Sequence, residues 1–335
     1  AQRTENWEVF FDVLDVEAHQ LDRQGDLGGL RHVLEQAKRY SERGGPRAQC
    51  KAQAMIALNI YFGSARESLP AARKAVQIGR TITDNYLNLH ALNRLIVVLH
   101  YLGRLHGSEG LGALEDAEGR LGTCGDLILK FRIRLNRAVW HLEVGELAEA
   151  RVAFCAAERV VRGTKAREAK AKLHLNLGEL GLFEHDIPRA REDFLRAESY
   201  LTESSSHFFR VFLSAGLGLC ALHDGELSEA KERELDLPPL PSFWTYDPTL
   251  FVTFKARMMK SRGDLHAAEL MLDRVRGEIR SRFLAVWIRL TLEESRLLRN
   301  QKPDKAEALS QEGIALANEL GLQELARSFF SKEGG

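Results

Sequence analysis

The sequence predicts an all-α fold, a right-handed superhelical solenoid of about eight helix-turn-helix repeats, on three observations. First, a Gly-acid-aliphatic tripeptide or a close variant recurs at 25–27, 103–105, 145–147, 185–187, 225–227 and 263–265. The steps are 78, 42, 40, 40 and 38 residues, and the first is close to two periods of about forty. Second, each unit carries a small residue, a bulky apolar one four later and often a small one three after that. Ala150, Phe154 and Ala157 are followed forty residues on by Ala190, Phe194 and Ala197. Weaker copies are led by Leu30, Ala72, Gly110 and Ala268, and Ala230 and the pair Ala308 and Ala315 keep only part of the pattern. Third, the chain has 335 residues, 44% hydrophobic and 28% charged, which supports a large core and carries no low-complexity signature.

Each unit reads as first helix, short turn, second helix. Glycine at 25, 103, 145, 225 and 263 suits the left-handed position that ends a first helix. The acid that usually follows suits the N-terminus of the second helix, where the helix dipole favours negative charge. Pro70 and Pro188, each two residues before a leading alanine, are placed in the first turn of second helices, where a missing N–H does no harm. Small residues at the start of the second helix let its backbone approach the first, and Phe154 or Phe194 one turn later fills the gap.

Gly178 and Gly181 fall inside the first helix of the fifth repeat, where each costs roughly 0.5–1 kcal/mol relative to alanine. Close approach of the second helix on that face explains them. "GLGLC" at 216–220 lies inside the first helix of the sixth repeat and not after a strand, so its glycines are read as helix packing and not as a dinucleotide site. Pro238, Pro239, Pro241 and Pro248 end the second helix of the sixth repeat early and open an irregular Pro-rich loop at 236–248. Phe243, Trp244 and Tyr246 in that loop read either as a binding lip or hinge, or as rings folded back over the shortened helix. The repeats are taken as a single domain over 1–335, and a first residue other than Met reads as a piece cut from a larger protein.

Leu177, Gly178, Gly181, Ala190, Phe194 and Ala197 resemble the tetratricopeptide pattern, with His174 at the family's first aromatic position and His185 at its usual turn glycine. The period here is longer than the standard repeat by roughly six residues, about 9 Å of extra helix per hairpin. Longer repeats of this kind are similar to the helical sensor arms of bacterial signal-transducing ATPases, such as the maltose-regulon activator and the antibiotic-pathway regulators, and to kinesin light-chain repeats. The resemblance implies a recognition or ligand-sensing arm of a regulatory protein.

Charge and motifs exclude several other functions. The 47 basic and 47 acidic groups balance, which argues against broad nucleic-acid binding. The longest apolar stretch, 95–103, is far short of a bilayer span, and the N-terminus has no signal-peptide pattern. Cys50, Cys124, Cys155 and Cys220 stand singly, which fits neither a disulfide framework nor paired metal ligands and points to a reducing cytoplasm. No phosphate loop, nucleophile elbow or HExxH pair occurs, so no enzyme, cofactor or metal site is expected.

Recognition is expected on the inner faces of the first helices. Arg132 and Asn136 are matched forty residues on by Lys172 and Asn176, each pair i, i+4 and therefore on one helix face. With Arg134, Arg137, Lys165, Arg167 and Lys170 nearby, these pairs read as an anion-holding patch, or else as a solvated face balanced by Glu158 and Glu168. The expected partner-binding residues are thus Arg132, Asn136, Lys172, Asn176, Trp244 and Tyr246. The expected partner is a protein or peptide, an acidic one suiting the basic pairs, or a small effector.

Overall fold

The computed structural model describes residues 6–62, 64–202, 205–238, 248–280 and 284–330. Among them seventeen α-helices form, with no strand, and eight hairpins follow one another. The hairpins are α1 (Trp7–Gln24) with α2 (Leu27–Arg39), α3 (Pro46–Ile56) with α4 (Ala65–Thr81), α5 (Asn85–Tyr101) with α6 (Ser108–Gly119), and α7 (Leu127–Val144) with α8 (Leu147–Val161). They continue as α9 (Arg167–Phe183) with α10 (Ile187–Tyr200), α11 (His207–His223) with α12 (Leu227–Leu235), α13 (Thr249–Ser261) with α14 (Leu265–Ile279), and α15 (Leu284–Leu298) with α16 (Pro303–Glu319). A last short helix, α17 (Gln323–Phe330), follows. The chain is an all-α repeat solenoid. No helix among the described residues is long and apolar enough to cross a membrane. Two compact units divide it: unit 1 is Ala1–Asn136 with Thr202–His207, and unit 2 is Arg137–Leu201 with Phe208–Gly335.

The turns follow from their residues. Gly25, Gly103, Gly145, Gly225 and Gly263 all take positive φ, between 64° and 85°. In the fifth repeat the same place is held by His185 at φ 58°, the one non-glycine with positive φ among the described residues. The acid after the glycine has two fates. Asp26, Asp186 and Asp264 cap their helices by accepting from the N–H of Gly29, Arg189 and Ala267 at 2.9, 3.2 and 3.0 Å. Glu146 and Glu226 have one more methylene and cap nothing. Glu146 instead meets His141 Nδ1 at 2.7 Å, and Glu226 accepts from Arg191 at 2.8 Å.

Packing within a hairpin follows the small-bulky-small pattern. Ala150, Phe154, Ala157, Ala190, Phe194 and Ala197 are all fully buried. A Cβ on Gly178 would lie 2.6 Å from the Phe194 ring, and one on Gly181 would lie 2.9 Å from the backbone of Ala190. Gly216 and Gly218 do the same service on α11, against Phe194 and Phe254 respectively. The glycines of "GLGLC" therefore clear space for phenylalanine rings.

Two register details differ from the sequence expectation. Pro70 lies more than a turn inside α4, which begins at Ala65, because the chain enters the helix at Ser64 and gains an extra turn before the repeat register starts. In the last repeat Ala308 and Ala315 are exposed, whereas Ala306, Leu309, Gly313 and Ala317 are buried. Pro303 opens α16 at its first position and turns a different face inward. The early end of the sixth repeat's second helix holds: α12 has 9 residues.

Neighbouring repeats are stitched by ion pairs about one period apart. Arg73 grips Glu109 with two bonds of 2.7 Å, Arg80 meets Asp116 at 2.9 Å, and Lys51 meets Asp12 at 2.7 Å. In unit 2 Arg151 pairs with Glu184, Arg191 with Asp224, Glu226 and Glu229, and Arg257 with Glu293. The balanced composition thus reflects pairing between repeats.

Candidate binding site

In unit 1 the inner faces of α1, α5 and α7 bring polar side chains together. Asp15 and His19 are i, i+4 on α1, Tyr86, His90, Asn93 and Arg94 share a face of α5, and Arg132 and Asn136 are i, i+4 on α7. Arg94 Nη2 donates to Asp15 Oδ1 at 3.2 Å, across 79 residues of sequence. His19 Nδ1 lies 2.8 Å from the Asp15 carbonyl oxygen, and Asn136 Nδ2 donates to Asn93 Oδ1 at 3.0 Å. Tyr86 stacks on His90 with ring centroids 6.1 Å apart. Arg94 is 5% exposed, and its Nε has no hydrogen-bond partner among the described residues.

The electrostatics tie these groups into one cluster. Burial pushes His90 down to about 3, and Arg94 and Arg132 add to that effect while Asp15 opposes it. His19 is lowered by burial and by Arg94. Burial by itself would raise the Asp15 carboxyl, but Arg94, the two histidines and Arg132 outweigh it and hold the group below the usual carboxylate value. Burial and Asp22 raise the phenol of Tyr61, which meets Tyr101 edge-on at 5.4 Å. The histidines are neutral at physiological pH, so the cluster presents guanidinium, carboxylate, amide and neutral imidazole at once. That set suits hydrogen bonding to a polypeptide or another polar ligand. It contains no activated nucleophile, and no group of three His, Cys, Asp or Glu among the described residues is arranged to hold a metal.

The expected site residues are distributed as follows. Arg132 and Asn136 belong to this cluster in unit 1. Lys172 and Asn176 lie on α9 in unit 2, where Asn176 Nδ2 donates to the Lys172 carbonyl oxygen at 2.7 Å and is turned onto its own helix. Of the surrounding cations, Arg137 covers the Trp140 ring at 4.8 Å, Lys170 the Tyr200 ring at 5.7 Å, and Arg167 donates to the carbonyls of Ser199 and Tyr200. Trp244 and Tyr246, with Phe243, lie outside the described residues.

Sequence reasoning missed Asp15, His19, His90, Asn93 and Arg94. A signal existed: His90 and Arg94 precede Arg132 and Asn136 by 42 residues, one repeat earlier but two out of the forty-residue step. A second feature of unit 1 is a cleft of about 580 Å³ between α4, α5 and α6. Val76, Leu92, Leu95 and Ala113 form its apolar lining, and Arg73 and Arg80 stand on its rim.

The sequence matches no protein-family model and no curated protein. The fold is similar to that of a Rap protein in a crystal structure of its complex with competence and sporulation factor, with a TM-score of 0.69. The likeness covers 88% of this chain and 81% of that chain at 12% sequence identity, so it is a likeness of fold.

In unit 2 the inner wall is covered. Arg289 of α15 is 2% exposed and lies over the Phe183 ring of α9 at 4.8 Å. Its Nη2 donates to the Leu142 carbonyl oxygen on α7 at 3.3 Å, and its Nη1 is 4.0 Å from Glu179 Oε1. At the α7–α8 turn, a Cβ on Gly145 would collide with the backbone of Glu324 and Leu325 at the start of α17. Unit 2 therefore closes on itself between its first and last helices.

Proposed function

We propose that this chain is a non-catalytic recognition solenoid of a regulatory protein, which binds a protein or peptide partner along the inner wall of unit 1. The observation that carries this reading is the convergence of Asp15, His90, Arg94, Arg132 and Asn136 from three helices onto one face. A wall needed only for packing is better served by apolar residues, because burying charge is costly unless it is well paired. The similar Rap fold was crystallised with a factor bound, which favours a recognition role for this architecture. Arg132 and Asn136 are the residues proposed to meet the partner, with Arg132 favouring an acidic group. Lys172 and Asn176, which belong to unit 2, and Trp244 and Tyr246 are proposed to contact a partner independently of this wall.

Selection of a random-peptide display library on the purified chain tests the reading. Peptides enriched on the wild type are expected to lose binding to Arg132→Glu while the circular-dichroism melt is unchanged. Identical enrichment on both proteins overturns it.

A second reading, an arm that senses a small effector, is favoured by the cleft between α4, α5 and α6, whose size falls within the range of small-molecule sites. A metabolite that raises the melting midpoint of the wild type but not of Leu92→Phe, which fills the cleft, would support that alternative.

A further inference from the structure

The cleft between α4, α5 and α6 is framed by two ion pairs that cross it. Arg73, Gln77 and Arg80 are i, i+4 and i+7 on α4, and Glu109, Gly112 and Asp116 are i, i+3 and i+7 on α6, so each trio shares a helix face. Arg73 donates two bonds of 2.7 Å to Glu109, and Arg80 donates one of 2.9 Å to Asp116. Along each helix the two bridges stand about 10 Å apart. Between them lie Gln77 on one side of the opening and Gly112 on the other. Arg73, Gln77, Arg80, Ser108, Glu109 and Gly112 are all exposed, so the mouth is open to solvent, and Val76, Leu92, Leu95 and Ala113 form the apolar floor.

Gly112 has no packing reason to be glycine. A Cβ on Gly178, Gly181, Gly216 or Gly218 would come within 2.9 Å of a neighbouring ring or backbone, but nothing lies within 4 Å of a Cβ on Gly112. Its φ is not positive either, and alanine is the better helix former at such a place. What the glycine leaves is an unobstructed entrance to the cleft.

The rim also sets the charge of what can enter. The bond from Arg73 holds the Glu109 carboxyl below its usual value, and Asp116 is shared by Arg80 and Arg120, at 2.9 and 2.6 Å. A ligand carboxylate would have to take a guanidinium from one of these acids, and so gains little for the water it gives up. The floor rewards a neutral apolar body instead, and Gln77 and Ser108 offer it uncharged hydrogen-bonding groups.

We propose that this cleft is a site for a neutral, compact apolar molecule that carries an amide, carbonyl or hydroxyl for Gln77, and that Gly112 is its entrance. The inference rests on the small-effector reading above and names the class of effector, and it does not depend on the polar cluster of the inner wall.

The test is fluorescence anisotropy on the full chain with naphthylacetamide and its anionic counterpart naphthylacetate, two fluorescent probes of one shape. The wild type is expected to bind the amide at least ~10-fold more tightly than the carboxylate. Gly112→Leu is expected to melt no lower than the wild type, because leucine is the better helix former, and to weaken the amide at least ~10-fold by blocking the entrance. Equal or tighter binding of the carboxylate, abolished by Gly112→Leu, overturns the neutral class and leaves the small-effector reading standing. No binding of the amide, or binding that Gly112→Leu leaves unchanged, overturns the proposal, and the metabolite test with Leu92→Phe then decides that reading. If Gly112→Leu does melt lower, Gln77→Leu takes its place. A loss of at least ~3-fold for the amide is then required, and unchanged affinity overturns the proposal.

Discussion

The ring of Phe194 occupies the space that a Cβ on Gly178 would need, 2.6 Å from where that atom would stand. Alanine in a helix is worth up to about 1 kcal/mol over glycine, but overpacking costs about 1–3 kcal/mol. Gly178→Ala is therefore expected to destabilise the chain, against its helix propensity, and Phe194→Ala to cost about 3–5 kcal/mol. Urea denaturation of both, and of the double variant Gly178→Ala with Phe194→Ala, checks this. The double variant should lose less than the two single losses added, because each change makes room for the other.

Gly145 and Gly225 hold the same turn position in different surroundings. Both have positive φ, 85° and 77°, so alanine at either carries a backbone penalty of about 1–2 kcal/mol. Nothing lies within 4 Å of a Cβ on Gly225, whereas a Cβ on Gly145 strikes the backbone at the start of α17. Gly145→Ala is expected to cost at least about 1 kcal/mol more than Gly225→Ala, and to speed amide exchange in α17. Equal losses would mean that α17 yields freely.

Acid should weaken unit 1 through His90. Its folded value of about 3 lies below the usual value of about 6.5, so between these limits the unfolded chain takes up a proton that the folded chain refuses. Stability is fully present above pH ~6.5 and falls as pH drops toward about 3. The lowered Asp15 carboxyl acts in the same direction at the acid end, below its usual ~3.9. His90→Gln is expected to show a smaller fall in urea midpoint between pH ~7 and ~5 than the wild type. Identical slopes would remove His90 as the cause.

Arg191 gathers Asp224, Glu226 and Glu229 of the following repeat, at 3.1, 2.8 and 2.9 Å. The side chain is 24% exposed, so salt reaches it. Arg191→Gln is expected to cost about 1 kcal/mol at low ionic strength and much less near 1 M salt, where screening acts within about 3 Å. Denaturation at the two salt concentrations measures the difference.

What was legible in the sequence was whatever recurs with the period. The tripeptide turn and the Ala150-Phe154-Ala157 pattern mark seven of the hairpins, because turn chemistry and close helix packing are local and repeat by themselves. The last repeat slipped by two residues, since Pro303 starts α16 with a new face inward and no other signal reports that rotation. The turn acid was legible as a charge, but whether it caps depends on one methylene, as Asp264 and Glu146 show. The polar cluster was half legible. Arg132 and Asn136 repeat at forty residues, whereas the bond from Arg94 to Asp15 joins residues 79 apart and leaves no periodic mark. Arg289 was invisible for the same reason: its bond to the Leu142 carbonyl joins residues 147 apart.

The ion pairs that run from one hairpin to the next make the order of the hairpins chemically specific. Excising one unit, duplicating it or exchanging two would set Arg191 against something other than its three acids and leave Glu109 without Arg73. The array is periodic in backbone but addressed in charge, so its parts are not interchangeable modules. Insertions that survive in relatives of such a chain should therefore arrive as neighbouring pairs of hairpins that carry both halves of their own bridges.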